Sequence, residues 1–333
     1  MRKGVWLLVL LVSGVVFSGW GFLIHRTTTQ LAVYQLPKKM QPFFFQNRAA
    51  LVTSSIRPDQ RRNSDTTEAP KHFIDLELYG DSAAWNMPED WNAAVAKYSK
   101  DSLVKYGYVP YWVITMQAKL TAAMQAGKSD SVLFYATDLA HYIGDAHVPL
   151  HTSVNYDGQL TNQKGLHSLW ESTIPEIELT NYNLYAHHRA KYIRDKEEAI
   201  WTAVRKAYQL LPQLFLQERE ASKAFTDSTK FRTQMRNGKP YKTYTTAFAR
   251  AYSQALGNTI NQQLLRSSSL IADFWYTAWV DAGKPELQNN LKTSYTKEAK
   301  ADFKKEFKSY KQNNLLRDSL LLARKKLNEK NDD

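Results

Sequence analysis

Residues 141–151 read His141-Tyr-Ile-Gly-Asp145-Ala-His147-Val-Pro149-Leu-His151, which places three imidazoles and a carboxylate within eleven residues. An apolar run before this stretch predicts a helix over residues 129–146, which Pro149 would end. Helical spacing puts His141 and Asp145 one turn apart on one face, where both side chains can reach the same ion. Imidazole and carboxylate together are a ligand set that zinc prefers. The same spacing also fits a surface pair or a buried structural histidine, and the rest of the chain discriminates between them.

Most of the remaining chain is helical in pattern. Apolar residues recur at helical spacing over residues 27–36, 42–51, 91–100, 110–126, 192–211, 218–235, 244–266 and 270–282. The polar segments 54–70 and 151–164 predict loops, and residues 165–172 have room for a short helix. No strand alternation, internal repeat or glycine-rich phosphate loop is visible. We therefore predict an all-α fold, a multi-helix bundle.

The N-terminus has the pattern of an export signal. A charged start, Met1-Arg-Lys, is followed by apolar residues 5–17 and by the small residues Ser18-Gly19. We therefore predict a signal peptide over residues 1–19 and an exported protein, periplasmic or secreted; an uncleaved signal anchor is the alternative. The chain contains no cysteine. Disulfides therefore cannot stabilise the exported protein, and metal ions are the remaining cross-link.

The net charge and the C-terminal segment both indicate which kind of partner the protein binds. The net charge of +12 favours anionic partners such as phosphate esters, nucleic acid or acidic lipid headgroups. From residue 291 the chain is highly charged but helical in pattern, and a bend is expected near Asn313-Asn314, because two sets of apolar positions are out of phase there. This C-terminal helix, residues 291–333, either lies on an anionic membrane or packs its apolar positions on the core as a solvated helix. No composition break divides residues 20–290, which we predict to be one domain.

Further potential ligands lie on both sides of the central stretch. The chain has eight histidines, six of them before residue 170. His167-Ser-Leu-Trp-Glu171 repeats the imidazole-to-carboxylate spacing of His141 and Asp145. With His151, these residues exceed the four ligands that one zinc ion takes. The sequence therefore predicts a multinuclear metal site, with additional ligands from upstream, His72 and Asp59.

These residues together resemble a known superfamily. The motifs are Trp20-Gly-x-x-x-His25, a loop Asp59, His72, His141-x-x-x-Asp145-x5-His151 and His167-x-x-x-Glu171. In this order and spacing they resemble the zinc-dependent phospholipase C and S1/P1 nuclease superfamily, over roughly residues 20–172. The resemblance implies a helical fold of that type with three zinc ions in a cleft. It also implies that residues 20–290 form a zinc-dependent phosphodiesterase domain.

The resemblance assigns each ligand to one of three ions. It implies that the first zinc is bound by Asp59, His72, His141 and Asp145. It implies that the second is bound by His151, His167 and Glu171. The third would take the α-amino group and carbonyl of Trp20, with His25 and a bridging Asp145. An α-amine has a pKa of about 8, so a cation can displace its proton near neutral pH. Signal cleavage before Trp20 would then be needed to complete the third site.

The implied chemistry is hydrolysis of a phosphodiester. A cation cluster activates a water for attack on phosphorus, and Asp59 is the candidate to orient or deprotonate that water. Glu171 is the phospholipase-like choice at its position, which favours phospholipid headgroup release. The short spacing between Trp20 and His25 is closer to the spacing in the nucleases. An S1/P1-type nuclease acting on single-stranded DNA or RNA is therefore the alternative. A non-catalytic, zinc-stabilised binding protein is a third hypothesis, disfavoured because no ligand is missing.

For several residues near the predicted ligands, a structural interpretation stands beside a functional one. His147 lies on another helix face and is predicted to be structural, and the pair His187-His188 is predicted to be at the surface. Asp75 either orients the His72 imidazole or faces water. Arg61-Arg62 either contacts substrate phosphate or is a solvated pair. Asn155 to Gly158 either lines the cleft or forms a turn.

Overall fold

The computed structural model describes residues 21–236, 238–287 and 295–324. The helices of its first half are α1 Phe22–Gln35, α2 Gln41–Gln46, α3 Arg48–Ser54, α4 Arg57–Arg61, α5 Ala83–Asn86, α6 Trp91–Tyr98, α7 Lys100–Tyr106, α8 Val109–Gln125 and α9 Ser129–Asp145. Those of the second half are α10 Leu166–Ser168, α11 Ile174–Glu178, α12 Lys196–Tyr208, α13 Leu211–Ser222, α14 Asp227–Lys230, α15 Thr246–Leu256, α16 Thr259–Asp281 and α17 Lys297–Lys311. The predicted helical fold class is confirmed.

Helix α9 lies at the centre of the main core. Gly127 adopts a left-handed conformation (φ 63°) and ends α8, so that α9 folds back against it. Helices α1 and α16 pack on the remaining sides, and the indole of Trp275 donates a hydrogen bond to the carbonyl of Ala136 at 2.9 Å. As a result, every residue of α9 from Ala136 to Asp145 is buried. The polar side chains on this helix therefore need partners inside the protein.

A second hydrophobic cluster forms beyond the C-terminal end of α9. It combines residues just after α9, such as Leu150, with Leu166, Trp170 and residues of α13 and α15 such as Phe248. The chain leaves the first cluster at Ala146 and enters the second at Val148. The polar end of α9 therefore lies where the two clusters meet.

A β-hairpin corrects the expectation that the chain has no strands. Strand β1, Phe231–Arg236, pairs antiparallel with β2, Lys239–Tyr244, where the sequence pattern predicted a helix over 218–235. Pro240 pairs with Met235 and has no backbone N–H to continue a helix. In the sequence, the dipeptide Asn237-Gly238 that follows the first of these segments is a strong hairpin signal.

Helix boundaries differ from the predictions at glycine and asparagine. The predicted helix 42–51 is divided at Asn47, and the break expected between residues 266 and 270 lies instead at Gly257, which has a positive φ of 60°. The segment 54–70, predicted as a loop, contains the short helix α4. Pro58 occupies the first turn of α4, where its missing N–H costs nothing.

The C-terminal segment packs on the core within its described residues, 295–324. Phe303 and Phe307 of α17 pack against the main cluster, and Glu306 is buried in an ion pair with Arg48 at 2.6 Å. The chain bends at Asn313 (φ 54°), as predicted, and then continues in turns rather than as a second helix. The predicted signal peptide and the ends of the predicted C-terminal helix, residues 291–294 and 325–333, lie outside the described residues. No described helix combines the length and apolar character of a membrane span.

Candidate metal centre

Separate elements of the fold deliver the predicted ligands to one place. Helix α1 carries His25, α4 carries Asp59, and α9 carries His141 and Asp145. The other ligands follow short helical turns or lie within them: His72, His151, His167 and Glu171. Trp20, the ninth predicted ligand, lies outside the described residues. The eight described ligands form three groups in which the potential ligand atoms lie within 4.8 Å of one another.

The first group contains Asp59, His72 and His141. His141 Nε2 lies 3.1 Å from His72 Nδ1, and both nitrogens are 3.7 Å from Asp59 Oδ1. Asp145 Oδ2 approaches the same nitrogens, at 2.9 Å from His72 and 3.3 Å from His141. Two imidazoles and two carboxylates therefore surround one point.

The second group contains His151, His167 and Glu171. His151 Nε2 is 3.2 Å from His167 Nε2, and the two oxygens of Glu171 lie 3.1 and 3.0 Å from these nitrogens. Glu171 lies in a π-helical turn, Leu169–Thr173, that leads into Pro175. Because proline donates no hydrogen bond, the helix widens here by one residue. The carboxylate and His167, four residues earlier, remain on the same face.

The third group contains His25, His141 and Asp145. His25 Nε2 is 3.4 Å from Asp145 Oδ1, and its ring stacks on His141 with centroids 4.0 Å apart. The N–H of Gly21 donates to Ser172 Oγ at 2.8 Å. A Cβ on Gly21 would lie 3.3 Å from Glu171 Oε2. The chain directly after Trp20 therefore runs beside the second and third groups.

Backbone carbonyls orient two of the ligand imidazoles. His141 Nδ1 lies 2.8 Å from the carbonyl of Ser55, and His151 Nδ1 lies 2.7 Å from the carbonyl of His72. A carbonyl only accepts, so Nδ1 carries the proton in both rings. In a neutral ring, the lone pair is then on Nε2, which is the atom facing the other ligands.

Burial and charge set the protonation of the ligands. Burial, together with the neighbouring His25, lowers the pKa of His141 to about 4, so its imidazole is neutral. Burial alone would lower the pKa of His151 too, but Glu171 and Asp145 raise it to about 9. Burial would raise the pKa of Asp145, yet the surrounding imidazoles hold it well below its usual range. Buried anionic carboxylates thus create a strongly negative potential that favours a positive charge here.

The arrangement fits bound cations. The Nε2 lone pair of neutral His141 faces Asp145 and Asp59, and no hydrogen separates it from their oxygens. Such contacts are repulsive unless a cation lies between the atoms. Imidazole and carboxylate are the donors that zinc prefers, and the three groups offer places for up to three ions. Cations held together in this way polarise phosphate oxygens and activate water.

Several neighbours resolve into one of their two readings. His147 lies outside the three groups, and its Nδ1 donates to the Ile143 carbonyl at 2.8 Å. His187 is exposed, while His188 pairs with Asp273 at 2.8 Å. The side chain of Asn155 closes a turn by accepting from the N–H of Leu160 at 2.8 Å.

The two arginines after Asp59 have different surroundings. Arg61 is paired with Glu68 at 3.0 Å and with Asp138 at 2.8 Å. Arg62 is 48% exposed and lies 3.7 Å from Asp59 Oδ1. Only Arg62 of this pair is therefore available to a substrate phosphate.

Comparison with known proteins identifies the family. No curated protein matches the chain. The family model of S1/P1 Nuclease matches residues 20–278, which include all nine predicted ligands. The match spans most of the 333 residues and agrees with the three ligand groups. The chain therefore belongs to the S1/P1 nuclease family of zinc-dependent phosphodiester hydrolases.

Proposed function

We propose that the protein is an exported nuclease that holds three zinc ions and hydrolyses single-stranded nucleic acid. The observation that carries the proposal is the convergence of eight potential ligands into three adjoining groups within the region that matches the family. Phospholipid headgroup release, which Glu171 favours, is the second candidate. Glu171 does not decide between the two substrates, because glutamate and aspartate both ligate zinc.

The proposed ligand assignment follows the groups. Asp59, His72, His141 and Asp145 would hold the first ion, and the second group would hold the second. The third ion would take His25, Asp145 and the amino group and carbonyl of Trp20. The position of Gly21, whose Cβ would lie 3.8 Å from His25 Nε2, supports this role for Trp20. The zinc ions, when bound, would supply the positive charge that neutralises the phosphate and activates water.

Asp59 is the proposed proton acceptor. Its side chain is 21% exposed, whereas that of Asp145 is 2% exposed, so Asp59 is the carboxylate of the first group that a water can reach. Asp59 Oδ1 lies 3.7 Å from both imidazoles of that group, and it can orient a water placed at their edge. Arg62, next to Asp59, would bind a non-bridging phosphate oxygen.

An exposed aromatic ring supports nucleic acid over lipid. Tyr156 is 53% exposed, and its ring centroid lies 6.3 Å from that of His167. An exposed ring beside the hydrolytic centre offers a stacking surface for an unpaired base. Duplex bases are stacked on each other and are not available to it, so single strands are the preferred substrate.

The proposal also covers processing and organisation. Residues 1–19 would be removed as a signal peptide, and residues 20–290 would form the catalytic domain. Export is supported by the apolar N-terminal run in the sequence. Membrane contact by the basic C-terminal segment stays a hypothesis, and the pairing of Glu306 with Arg48 favours its packing on the core instead.

The test compares substrates with the processed, zinc-loaded protein. We expect hydrolysis of single-stranded DNA and RNA, loss of this activity with a chelator, and no release of headgroups from phosphatidylcholine micelles. Turnover of the lipid alone would overturn the nuclease proposal in favour of a phospholipase. Turnover of neither substrate by fully loaded protein would favour a non-catalytic zinc-stabilised protein.

A substitution at Asp59 tests its role. Asp59→Asn keeps the shape and one ligating oxygen but is a much weaker base. We expect kcat to fall by about 10²–10⁴-fold, with little change in thermal stability. His141→Ala serves as the comparison, because it removes a ligand from the central helix and should reduce both activity and stability. Equal effects of the two variants on both measurements would contradict the proposed role.

A further inference from the structure

A buried carboxylate lies directly behind His72. Glu68 is 1% exposed, and it precedes His72 by four residues, so that the two flank the 3-10 turn Ala69–Lys71. Its Oε2 pairs with the ammonium of Lys71 at 2.8 Å. Its Oε1 accepts hydrogen bonds from Arg61 at 3.0 Å and from the hydroxyl of Tyr142. Glu68 is thus held in place from three directions.

The imidazole of His72 lies between this carboxylate and the metal centre. Its Nδ1 faces Asp145 at 2.9 Å, and on the opposite edge Nε2 lies 3.5 Å from Glu68 Oε1. Nε2 is buried and makes no hydrogen bond to any described residue. Oε1 of Glu68 is therefore the acceptor placed to receive its proton after a small rotation of the ring.

The imidazole nitrogen that faces away from the metal centre has a different neighbour in His72 than in His141 and His151. The far nitrogens of His141 and His151 are hydrogen-bonded to neutral backbone carbonyls. The corresponding nitrogen of His72 faces a carboxylate, whose negative charge makes the imidazole more basic and a stronger ligand. The same carboxylate selects the tautomer that has its proton on Nε2 and its lone pair on Nδ1.

We propose that Glu68 is a positioning residue that fixes His72 with the lone pair of Nδ1 directed to the first zinc. This inference rests on the ligand role of His72 in the proposed function. Arg61 and Lys71 compensate the buried charge of Glu68, which lets the carboxylate stay ionised next to a cationic centre. Tyr142, which follows His141 on α9, ties Glu68 to the helix that carries the other ligands of the first group.

The test measures zinc binding and the His72 tautomer separately from catalysis. Stepwise zinc affinities are obtained by competition with a chromophoric chelator, for the wild type and for Glu68→Gln and Glu68→Ala. The step assigned to the first site is the one that His72→Ala abolishes, and we expect the other two steps to shift little in the Glu68 variants. The step assigned to the first site should weaken about 10-fold in Glu68→Gln and up to about 100-fold in Glu68→Ala. Long-range ¹⁵N NMR of the zinc-free variants should show Nδ1-protonated His72 in Glu68→Ala.

Asp138→Asn is the matched control. Asp138 is also 1% exposed and pairs with Arg61 at 2.8 Å, but it does not touch His72. The control removes the same charge from the same network and should lower stability without changing zinc affinity. Unchanged zinc affinity in Glu68→Gln, or an equal loss in Asp138→Asn, would overturn the positioning role. If Glu68→Ala does not fold, the isosteric Glu68→Gln decides. A wild type that binds no zinc through His72 would instead refute the proposed function itself.

Discussion

Gly144 lies between His141 and Asp145 on α9, and the ring of His25 packs where a side chain would be. A Cβ at this position would lie 2.8 Å from His25 Nδ1, which is closer than van der Waals contact allows. Glycine in the middle of a helix costs about 1 kcal/mol relative to alanine. The close approach of α1 to α9, which brings His25 within 3.4 Å of Asp145, therefore requires a residue that weakens the helix.

Gly144→Ala should selectively disturb the third group. We expect His25 to be displaced and the zinc content of processed protein to fall from three ions to two, with kcat reduced about tenfold or more. Metal analysis and nuclease assays measure the two effects. Thr137→Ala, a buried change in the same helix, should leave the zinc content at three. Three zinc ions in Gly144→Ala would show that His25 is not needed for the third ion.

At the scale of elements, Glu218 fixes the loop that flanks the second group. This carboxylate on α13 is 1% exposed, and it accepts from Gln163 in the loop and from Tyr244 on β2. It also pairs with Lys230 at 2.7 Å. One buried charge thus joins α13, the hairpin and the loop that carries Tyr156.

Glu218→Ala should destabilise the protein by about 3–5 kcal/mol, because it leaves Lys230 and Gln163 without their buried partner. Urea unfolding monitored by circular dichroism gives the free energy of unfolding, and limited proteolysis should reveal cleavage within residues 153–165. Glu220→Ala is the control on the same helix. Glu220 is 48% exposed in its pair with Lys223 and should cost no more than about 1 kcal/mol. Equal losses in the two variants would contradict a special role for Glu218.

Periodicity predicted the helix that carries His141 and Asp145, but not the contacts between the eight described residues of the three groups. The helix 129–146 was expected from its apolar spacing and is observed as Ser129–Asp145. Asp145 lies within 4 Å of four imidazoles, those of His25, His72, His141 and, at 3.6 Å, His151. This convergence depends on long-range packing, which spacing along the chain does not encode. The hairpin was missed because its polar and aromatic residues also fit a helical period, although Asn237-Gly238 signalled a turn. Glu68 was likewise visible as a carboxylate four residues before His72.

At the scale of the whole molecule, the centre links distant parts of a chain that has no disulfides. Its proposed ligands come from α1, α4, α9, the turn that ends at His72 and the segment 149–173, which join the two hydrophobic clusters. Because the ligands are brought together only in the folded state, metal binding adds its free energy to the stability of the fold.

Removal of metal should therefore lower the melting temperature. An ion present at 1,000 times its dissociation constant contributes about 4 kcal/mol to the stability of the folded state. For a protein of this size we expect a decrease in Tm of roughly 6 °C for each such ion when chelator is added. Calorimetry measures this shift, chelator already saturated with zinc is the control, and re-addition of zinc should restore the original Tm. An unchanged Tm would show that the ions do not support the fold.

The contacts between the C-terminal segment and α1 can form only late in synthesis. The buried amide of Gln30, on the helix that carries His25, donates to the carbonyl of Leu320 and accepts from the N–H of Leu322, positions 290 and 292 residues further along. During synthesis these partners emerge almost a whole chain later than Gln30 itself. Until then the side chain of Gln30 has one described partner, the hydroxyl of Tyr34 at 2.7 Å from its Nε2, and such long-range closure is slow. Helix α1, which carries His25, therefore gains these two contacts only after residues 320–322 have been synthesised.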